Sequence, residues 1–415
     1  MSNKILVITG SFYPTFSPPG LVLARLLKTV SRQCDITVIT QRRGRHDLGR
    51  EFEYAGMKVY EVSDWFADRL IEGGPFTRVW KLIYRVLSFF RGNKLSMFNP
   101  SKTVRLAKRL CKEGDFKKMI TMGFPFESHV VGLKIKRSFP EINWATYSTD
   151  TYHKHFMFSR KVSSIRQFLN TVYFCGACRA EVSAYRNADN MFLAPELKGW
   201  FDDIRGLDCS KIKKVGYALY IPNQIHHRQS SQKLVKLVFA GTFYDDIRNP
   251  EPFVRIIPEI ICLLPTAEFH FYLTTSNCTA GISRLMDVYP SNVFIHKPVS
   301  SDMLEHIYSD ADILLNFSND AAQFAPSKCF EYIASGKPIL DVRYANRECS
   351  PVLKRHPMCL SIDNHTKADE FVHVVSSFVK EYAGEYLNAA DIRRLYSEYM
   401  PDSAAKHFFK FICNG

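Results

Sequence analysis

The sequence predicts an α/β protein made of two doubly wound domains, and three observations predict it. Short apolar runs alternate with helical patterns from the first residues onward. The alternation breaks once, at a polar stretch past the middle of the chain, and then starts afresh. The 415 residues also exceed what a single hydrophobic core usually serves.

Lys4 to Thr9 (KILVIT) is a compact apolar run, followed by a turn-rich loop and by helical periodicity from Leu21 to Val30. Asp35 to Thr40 (DITVIT) is the second strand, and Lys58 to Val62, Lys118 to Met122 and Trp144 to Ser148 continue the series. Strands separated by helices at this spacing are βαβ units, which pair in parallel. Residues 1–222 are therefore assigned to the first domain. The stretch Ile221 to Lys233 (IPNQIHHRQSSQK) is polar and aperiodic, so the linker falls at 223–234. Val235 to Ala240 (VKLVFA) opens the second domain, 235–395, with strands at Glu268 to Leu273, Val293 to His296, Ile313 to Phe317 and Pro338 to Val342. Residues 396–415 are expected to form a helix that crosses back to the first domain. Two doubly wound domains joined in this way are expected to face a central cleft at the carboxyl ends of their strands, where such folds bind ligands.

Within the second domain the most informative run is Gln323 to Leu340, QFAPSKCFEYIASGKPIL. Pro326 suits a first helical turn, and Gly336 followed by Pro338 ends a helix, so Ser327 to Ser335 is predicted helical. The unpaired amides and dipole at its start favour an anion such as a diphosphate. Glu331 lies about one turn further in, within reach of hydroxyls on whatever carries that phosphate. A phosphate seat beside a carboxylate for sugar hydroxyls describes a nucleotide-sugar site.

This run resembles the donor-site signature of GT-B glycosyltransferases, in particular the retaining family four. There, a glutamate, seven residues and a second glutamate precede a small-Gly-x-Pro turn. Glu331 matches the second glutamate, whose role in the family is to hold the nucleotide ribose. The first position carries Gln323, which keeps hydrogen-bonding reach and removes the charge. The resemblance covers nearly the whole chain. SFYPTFSPPG, Ser11 to Gly20, is similar to the loop after the family's first strand, where Gly20 would let the backbone approach phosphate or acceptor. AGTFYDDIRNP, Ala240 to Pro250, resembles the loop that opens its second domain, with Gly241 in the turn and Arg248 facing the diphosphate. On the donor side the resemblance thus implies Gly20, Gly241, Arg248, Ala325, Pro326, Ser327, Lys328 and Glu331.

His129, in GFPFESHVVG, follows the strand KMITM and opens a helical pattern, so it stands at a strand's carboxyl end; Glu127 is a less favoured acid nearby. The resemblance implies a donor-sugar contact for His129, and the plainer alternative is a cap or a packed polar residue. Asp150, in TYSTDTYHKH, matches the family's acceptor-side aspartate, with an Asx turn as the alternative. His129, Asp150 and Gln323 are therefore the catalytic candidates.

No metal site is expected. His153 and His155 lack a third ligand, Cys175 and Cys178 lack a second pair, and Asp310-Ala311-Asp312 reads as a structural cap before a strand. No cofactor is expected beyond the nucleoside-diphosphate sugar itself.

Lys and Arg total 55 against 41 Asp and Glu, a net charge of +14 that implies an anionic partner. Nucleic acid is disfavoured because no recognised binding module accompanies the charge. The stretch Phe76 to Lys94 instead interleaves apolar residues, Trp80 among them, with Arg78, Lys81, Arg85, Arg91 and Lys94, the pattern of a helix lying on an anionic membrane. A charged rim on a core-packed helix is the alternative. No apolar run reaches the length of a membrane span, and Met1 to Ile8 leads straight into a strand. The chain is thus expected on the inner, cytoplasmic face of the membrane. Its 11 cysteines read as reduced thiols.

The expected activity is transfer of a hexose-type sugar to a saccharide, retaining and metal-independent by the resemblance, with a lipid-linked O-antigen or capsule glycan as acceptor. A nucleotide-sugar epimerase of the same architecture and a non-catalytic glycan- or membrane-binding relative remain alternatives.

Overall fold

The computed structural model describes residues 4–63, 68–69, 73–74, 76–80, 83, 100–123, 125–149, 151, 164–197, 201–202, 204–222, 234–244, 248–275, 278–318, 328–343 and 348–413. The chain divides into two compact units, one of residues 1–218 with 401–415 and the other of 219–400.

In the first unit the apolar runs become strands. Its elements are β1 (Lys4–Ile8), α1 (Pro18–Val30), β2 (Asp35–Gln41), β3 (Glu51–Tyr54), β4 (Met57–Val62), α2 (Pro100–Gly114), β5 (Lys118–Met122), α3 (Glu127–Ser138), β6 (Asn143–Ser148), α4 (Ser164–Asn187), β7 (Asn190–Leu193) and β8 (Ile212–Lys214). The sheet order is β3-β4-β2-β1-β5-β6-β7-β8. Every pairing is parallel except the β3–β4 hairpin. That hairpin turns through Ala55 and Gly56, both at positive φ, as a tight primed turn requires. The alternately exposed EFEY of β3 carries no apolar run, which hides the strand from pattern reading.

β1 is buried from Ile5 onward because helices cover both faces of a central parallel strand. Helix α2 turns Ala107, Leu110 and Cys111 inward at helical spacing, and they join Leu6, Ile8, Met119, Val131, Ile135 and Trp144 in one core.

The second unit comprises β9 (Val235–Gly241), α5 (Glu251–Val254), α6 (Ile257–Leu263), β10 (Ala267–Leu273), α7 (Ala280–Val288), β11 (Val293–His296), α8 (Ser301–Asp310), β12 (Ile313–Phe317), α9 (Lys328–Ser335), β13 (Ile339–Arg343), α10 (Pro351–Lys354), β14 (Cys359–Asp363), α11 (Ala368–Tyr382) and α12 (Ala389–Leu395). Its strands run parallel in the order β11-β10-β9-β12-β13-β14. Helix α11 buries Phe371, Val372, Val375, Phe378 and Val379, one apolar stripe, against a phenylalanine-rich core that includes Phe239, Phe243, Phe253 and Phe317.

The chain ends with α13 (Pro401–Ala404) and α14 (Lys406–Cys413), which belong to the first unit. Phe408 packs on Tyr147 and Phe192, with ring centroids 6.0 and 5.4 Å apart. Lys118, 5% exposed, donates to the Ile412 carbonyl at 2.8 Å, capping the end of α14 with a positive charge where the helix dipole is negative.

Gly336 ends α9 at a φ of 72°, and a Cβ there would run into the Leu387 carbonyl oxygen. Gly336→Ala should therefore lose about 1 to 2 kcal/mol to left-handed backbone, plus the displacement of Leu387. Urea unfolding reads this directly, and an unchanged midpoint would show that the turn relaxes at no cost.

Candidate functional site

In the second unit the sheet runs from β9 one way through β10 and β11, and from β12 the other way through β13 and β14. Crossovers from the two halves leave on opposite faces, so the carboxyl ends of β9 and β12 form a topological switch point, the usual ligand crevice of such sheets.

Two segments reach that point. After β9, Tyr244 and Arg248 bridge through backbone bonds of 3.2 and 3.0 Å, folding the loop back so that Arg248 Nη1 donates to the Thr242 carbonyl at 3.4 Å. After β12, helix α9 is tied to the end of β9 because Tyr332 Oη accepts from the Ala240 amide at 3.3 Å. Burial pushes the Cys329 thiol and the Tyr332 phenol up, and the charge of Arg248 opposes both shifts. Arg248 is thus within electrostatic reach of Cys329 and Tyr332 on α9.

Glu331 sits in the first turn of α9, and its Oε2 accepts from Lys328 Nζ at 2.8 Å and from Tyr308 Oη at 3.5 Å. Lys328, expected beside the diphosphate, is thus turned toward Glu331. Among the described residues the bonds to this carboxylate fall on Oε2, leaving Oε1 to accept from a ligand. Gly241 ends β9, and its carbonyl accepts from the Thr274 amide at 3.1 Å. Gln323, Ala325, Pro326 and Ser327 lie outside the described residues.

Asp310 and Asp312 serve the framework. Lys236 Nζ pairs with Asp310 at 2.6 Å, and the Lys236 amide donates to Asp312 at 2.8 Å. Among the described residues no group of three or more His, Cys, Asp or Glu side chains is placed to hold a metal ion.

In the first unit β1 and β5 flank the corresponding switch point. Gly20 is buried in the first turn of α1, where a Cβ would lie 2.5 Å from the Ser11 carbonyl oxygen. The missing side chain thus lets the Ser11 carbonyl pack directly on the first turn of α1.

His129 is likewise 0% exposed. Its Nδ1 bonds Thr121 Oγ1 at 2.8 Å, and its Nε2 meets Ser148 Oγ at 3.3 Å. Ser148 continues to Tyr185 at 2.8 Å, Tyr185 to Glu181 at 3.0 Å, and Thr151 donates to Glu181 at 2.7 Å. Both ring nitrogens are engaged internally, so His129 is a packed member of a buried chain in place of the surface sugar contact expected. Burial pushes its imidazole down to about 3. Asp150 lies outside the described residues.

Sequence reasoning missed Tyr308, Glu181 and Tyr185. The i, i+4 spacing of Glu181 and Tyr185 was a signal of a helical pair, but nothing in it revealed burial. For Tyr308 there was no local signal, since its partners lie more than a helix away in the chain.

This two-sheet architecture is the GT-B fold, the fold of nucleotide-sugar-dependent glycosyltransferases. The solved structures it resembles include a sucrose-phosphate synthase from Thermosynechococcus elongatus, 13% identical over 99% of this chain and 98% of that one, with a TM-score of 0.64. The lipopolysaccharide outer core galactosyltransferase WaaB is 14% identical over 99% of both chains, TM-score 0.56. HepE from Anabaena, solved in complex with UDP, is 10% identical over 99% of this chain and 100% of that one, TM-score 0.59. No family model matches the sequence, and no curated protein does.

Burial also pushes His356 down, to about 4. For both histidines the unfolded chain binds the proton more readily than the folded one, so stability is present above pH 6.5 and lost as pH falls toward 4. Each contributes a slope of about 1.4 kcal/mol per pH unit in that window. His129→Gln should flatten the curve of unfolding free energy against pH by that amount, and an unchanged slope would mean that the imidazole is protonated in the fold.

Proposed function

We propose that the protein is a glycosyltransferase that moves a sugar from a nucleoside-diphosphate donor to a saccharide acceptor. The observation that carries this reading is the switch point at β9 and β12, where Arg248, the start of α9 and the open oxygen of Glu331 converge. Cleavage of the donor builds negative charge on the leaving diphosphate. Helix amides and a guanidinium held in place beforehand stabilise that charge without reorganising during the reaction. Glu331 Oε1 accepts hydrogen bonds from the ribose hydroxyls and orients the nucleotide.

In the retaining course the departing phosphate oxygen takes the acceptor proton on the face it leaves, so no protein base is needed, and no metal either. The UDP named with HepE supports a uridine donor, and the galactosyltransferase and sucrose-phosphate synthase support a hexose. The lipopolysaccharide enzyme also favours a surface-polysaccharide acceptor of the O-antigen or capsule type, carried on a lipid.

Thermal shift against a panel of nucleotide sugars should identify a donor, because a ligand of the folded state raises apparent stability. Arg248→Ala and Glu331→Ala should each weaken that binding by about 1 to 3 kcal/mol. The product's anomeric configuration tests retention, and turnover in chelator tests independence from metal. A folded protein that binds no nucleotide sugar would end this reading.

Docking on the inner, cytoplasmic face of the membrane is the second part of the proposal. Phe76, Val79 and Ile83, spaced for one helical face, are 67%, 51% and 37% exposed, and Arg78 beside them is exposed while Trp80 is half-buried. Lys81 and Arg85 lie outside the described residues. Among the described residues no helix is long and apolar enough to cross a membrane. Each basic residue near an anionic surface contributes on the order of 1 kcal/mol. Changing Arg78, Lys81 and Arg85 to Glu, or Phe76 and Val79 to Ser, should release the protein from phosphatidylglycerol vesicles while sparing transfer to a soluble acceptor. Equal vesicle binding by both variants would remove this segment from the membrane.

A further inference from the structure

We propose that Tyr308 and Lys328 act together as positioning residues for Glu331, fixing which carboxylate oxygen meets the ribose, so that recognition of the nucleotide hydroxyls depends on a buried tyrosine outside the donor-site run. This deepens the reading of Glu331 as the ribose contact and rests on it.

A glutamate carries its carboxylate on a flexible stem, and an exposed one turns freely. Here it is clamped from one side. Lys328 Nζ donates to Glu331 Oε2 at 2.8 Å and to Tyr308 Oη at 3.1 Å, and Tyr308 Oη in turn donates to the same Oε2 at 3.5 Å. The ammonium also lies 5.7 Å from the centre of the Tyr308 ring, a cation–π distance.

Tyr308 is itself immobile. It is 3% exposed on α8, and its ring meets that of Tyr332 edge-on at 5.1 Å. Tyr332 is fixed to the end of β9 through the Ala240 amide. A continuous chain of contacts therefore runs from the end of β9 through Tyr332 and Tyr308 to Glu331 and registers the carboxylate to the strand ends. Burial, with Tyr332 and Glu331 nearby, holds the Tyr308 phenol well above its usual range, so the hydroxyl keeps its proton and donates.

The geometry divides labour. A carboxylate only accepts, and ribose hydroxyls only need an acceptor oriented toward them, which Oε1 supplies once Oε2 is held. Lys328 also neutralises Glu331 beside the place assigned to an anionic diphosphate, where a bare carboxylate would repel it. The diphosphate is then left to Arg248 and the amides of α9.

The test is binding of the four common ribonucleoside diphosphates and their 2′- and 3′-deoxy counterparts by calorimetry, to the full-length wild type and to Glu331→Ala, Tyr308→Phe and Lys328→Met. Tyr308→Phe retains the buried ring, and thermal unfolding confirms that each variant is folded. Wild type should prefer a ribonucleotide over its deoxy form, and Glu331→Ala should erase the preference. Tyr308→Phe should lower ribonucleotide affinity about threefold to tenfold and leave deoxy affinity nearly unchanged. Lys328→Met should likewise shrink the ribose preference.

If no diphosphate binds, or wild type and Glu331→Ala treat both forms alike, the ribose reading of Glu331 fails and takes this proposal with it. If Glu331→Ala erases the preference while Tyr308→Phe keeps it in full, the ribose reading stands and the role of Tyr308 is overturned. If Lys328→Met weakens both forms equally, Lys328 serves the diphosphate and its assignment here is wrong.

Discussion

The constraint on which the proposed site depends is the reversal of strand order at β9 and β12. Parallel strands need crossovers, and the right-handedness of those crossovers sends helices from the two halves of the sheet to opposite faces. Between the two central strands no crossover covers the carboxyl ends. Loops from both must meet there, which brings Arg248 near α9 although the residues are remote in sequence. Replacing any one side chain leaves this meeting point in place, because backbone pairing of β9 with both β10 and β12 creates it.

Buried polar networks then hold the walls. Asp341 is 0% exposed, and burial pushes its carboxyl up, opposed by hydrogen bonds from Ser318, Ser361 and Asn316. Those three residues come from the end of β12 and from β14, so the carboxylate ties neighbouring strands together directly behind α9. In the first unit the chain from Thr121 through His129, Ser148 and Tyr185 to Glu181 does the same for β5, β6 and α4. Satisfied networks of this kind favour one arrangement strongly, since a single lost partner strands a desolvated group at a cost of about 1 to 3 kcal/mol.

Several residues that look chemical in sequence are structural for that reason. His129 reads as a ligand contact because it opens a helix at the right end of a strand, yet the neighbouring strands close over it. Asp310 and Asp312 look like an acid pair by spacing alone, and they receive Lys236 as the structural reading of that run expects. Gly20 reads as a point of close backbone approach, and Ser11 is the neighbour that makes one. In each case local spacing indicates position along an element, while the choice between ligand and protein as the partner belongs to side chains from other elements.

Apolar periodicity by itself determined the strands Lys118–Met122, Val293–His296 and Ile313–Phe317 to the residue, and most of the others to within one or two. It determined the end of α9 at Ser335 as well, because the glycine that follows acts through local backbone sterics. Short strands escaped it: the edge strands β3, β8 and β14 bury too little to leave an apolar run, and β7, though buried, spans only four residues. The sequence also located Glu331 in the first turn of α9 and Arg248 in the loop after β9. Only the tertiary structure decided that Lys328 turns to Glu331, that Tyr308 holds them both, and that His129 is enclosed. Hydrogen-bond partners between distant segments are chosen by three-dimensional packing, and a one-dimensional pattern carries no record of distances across a sheet.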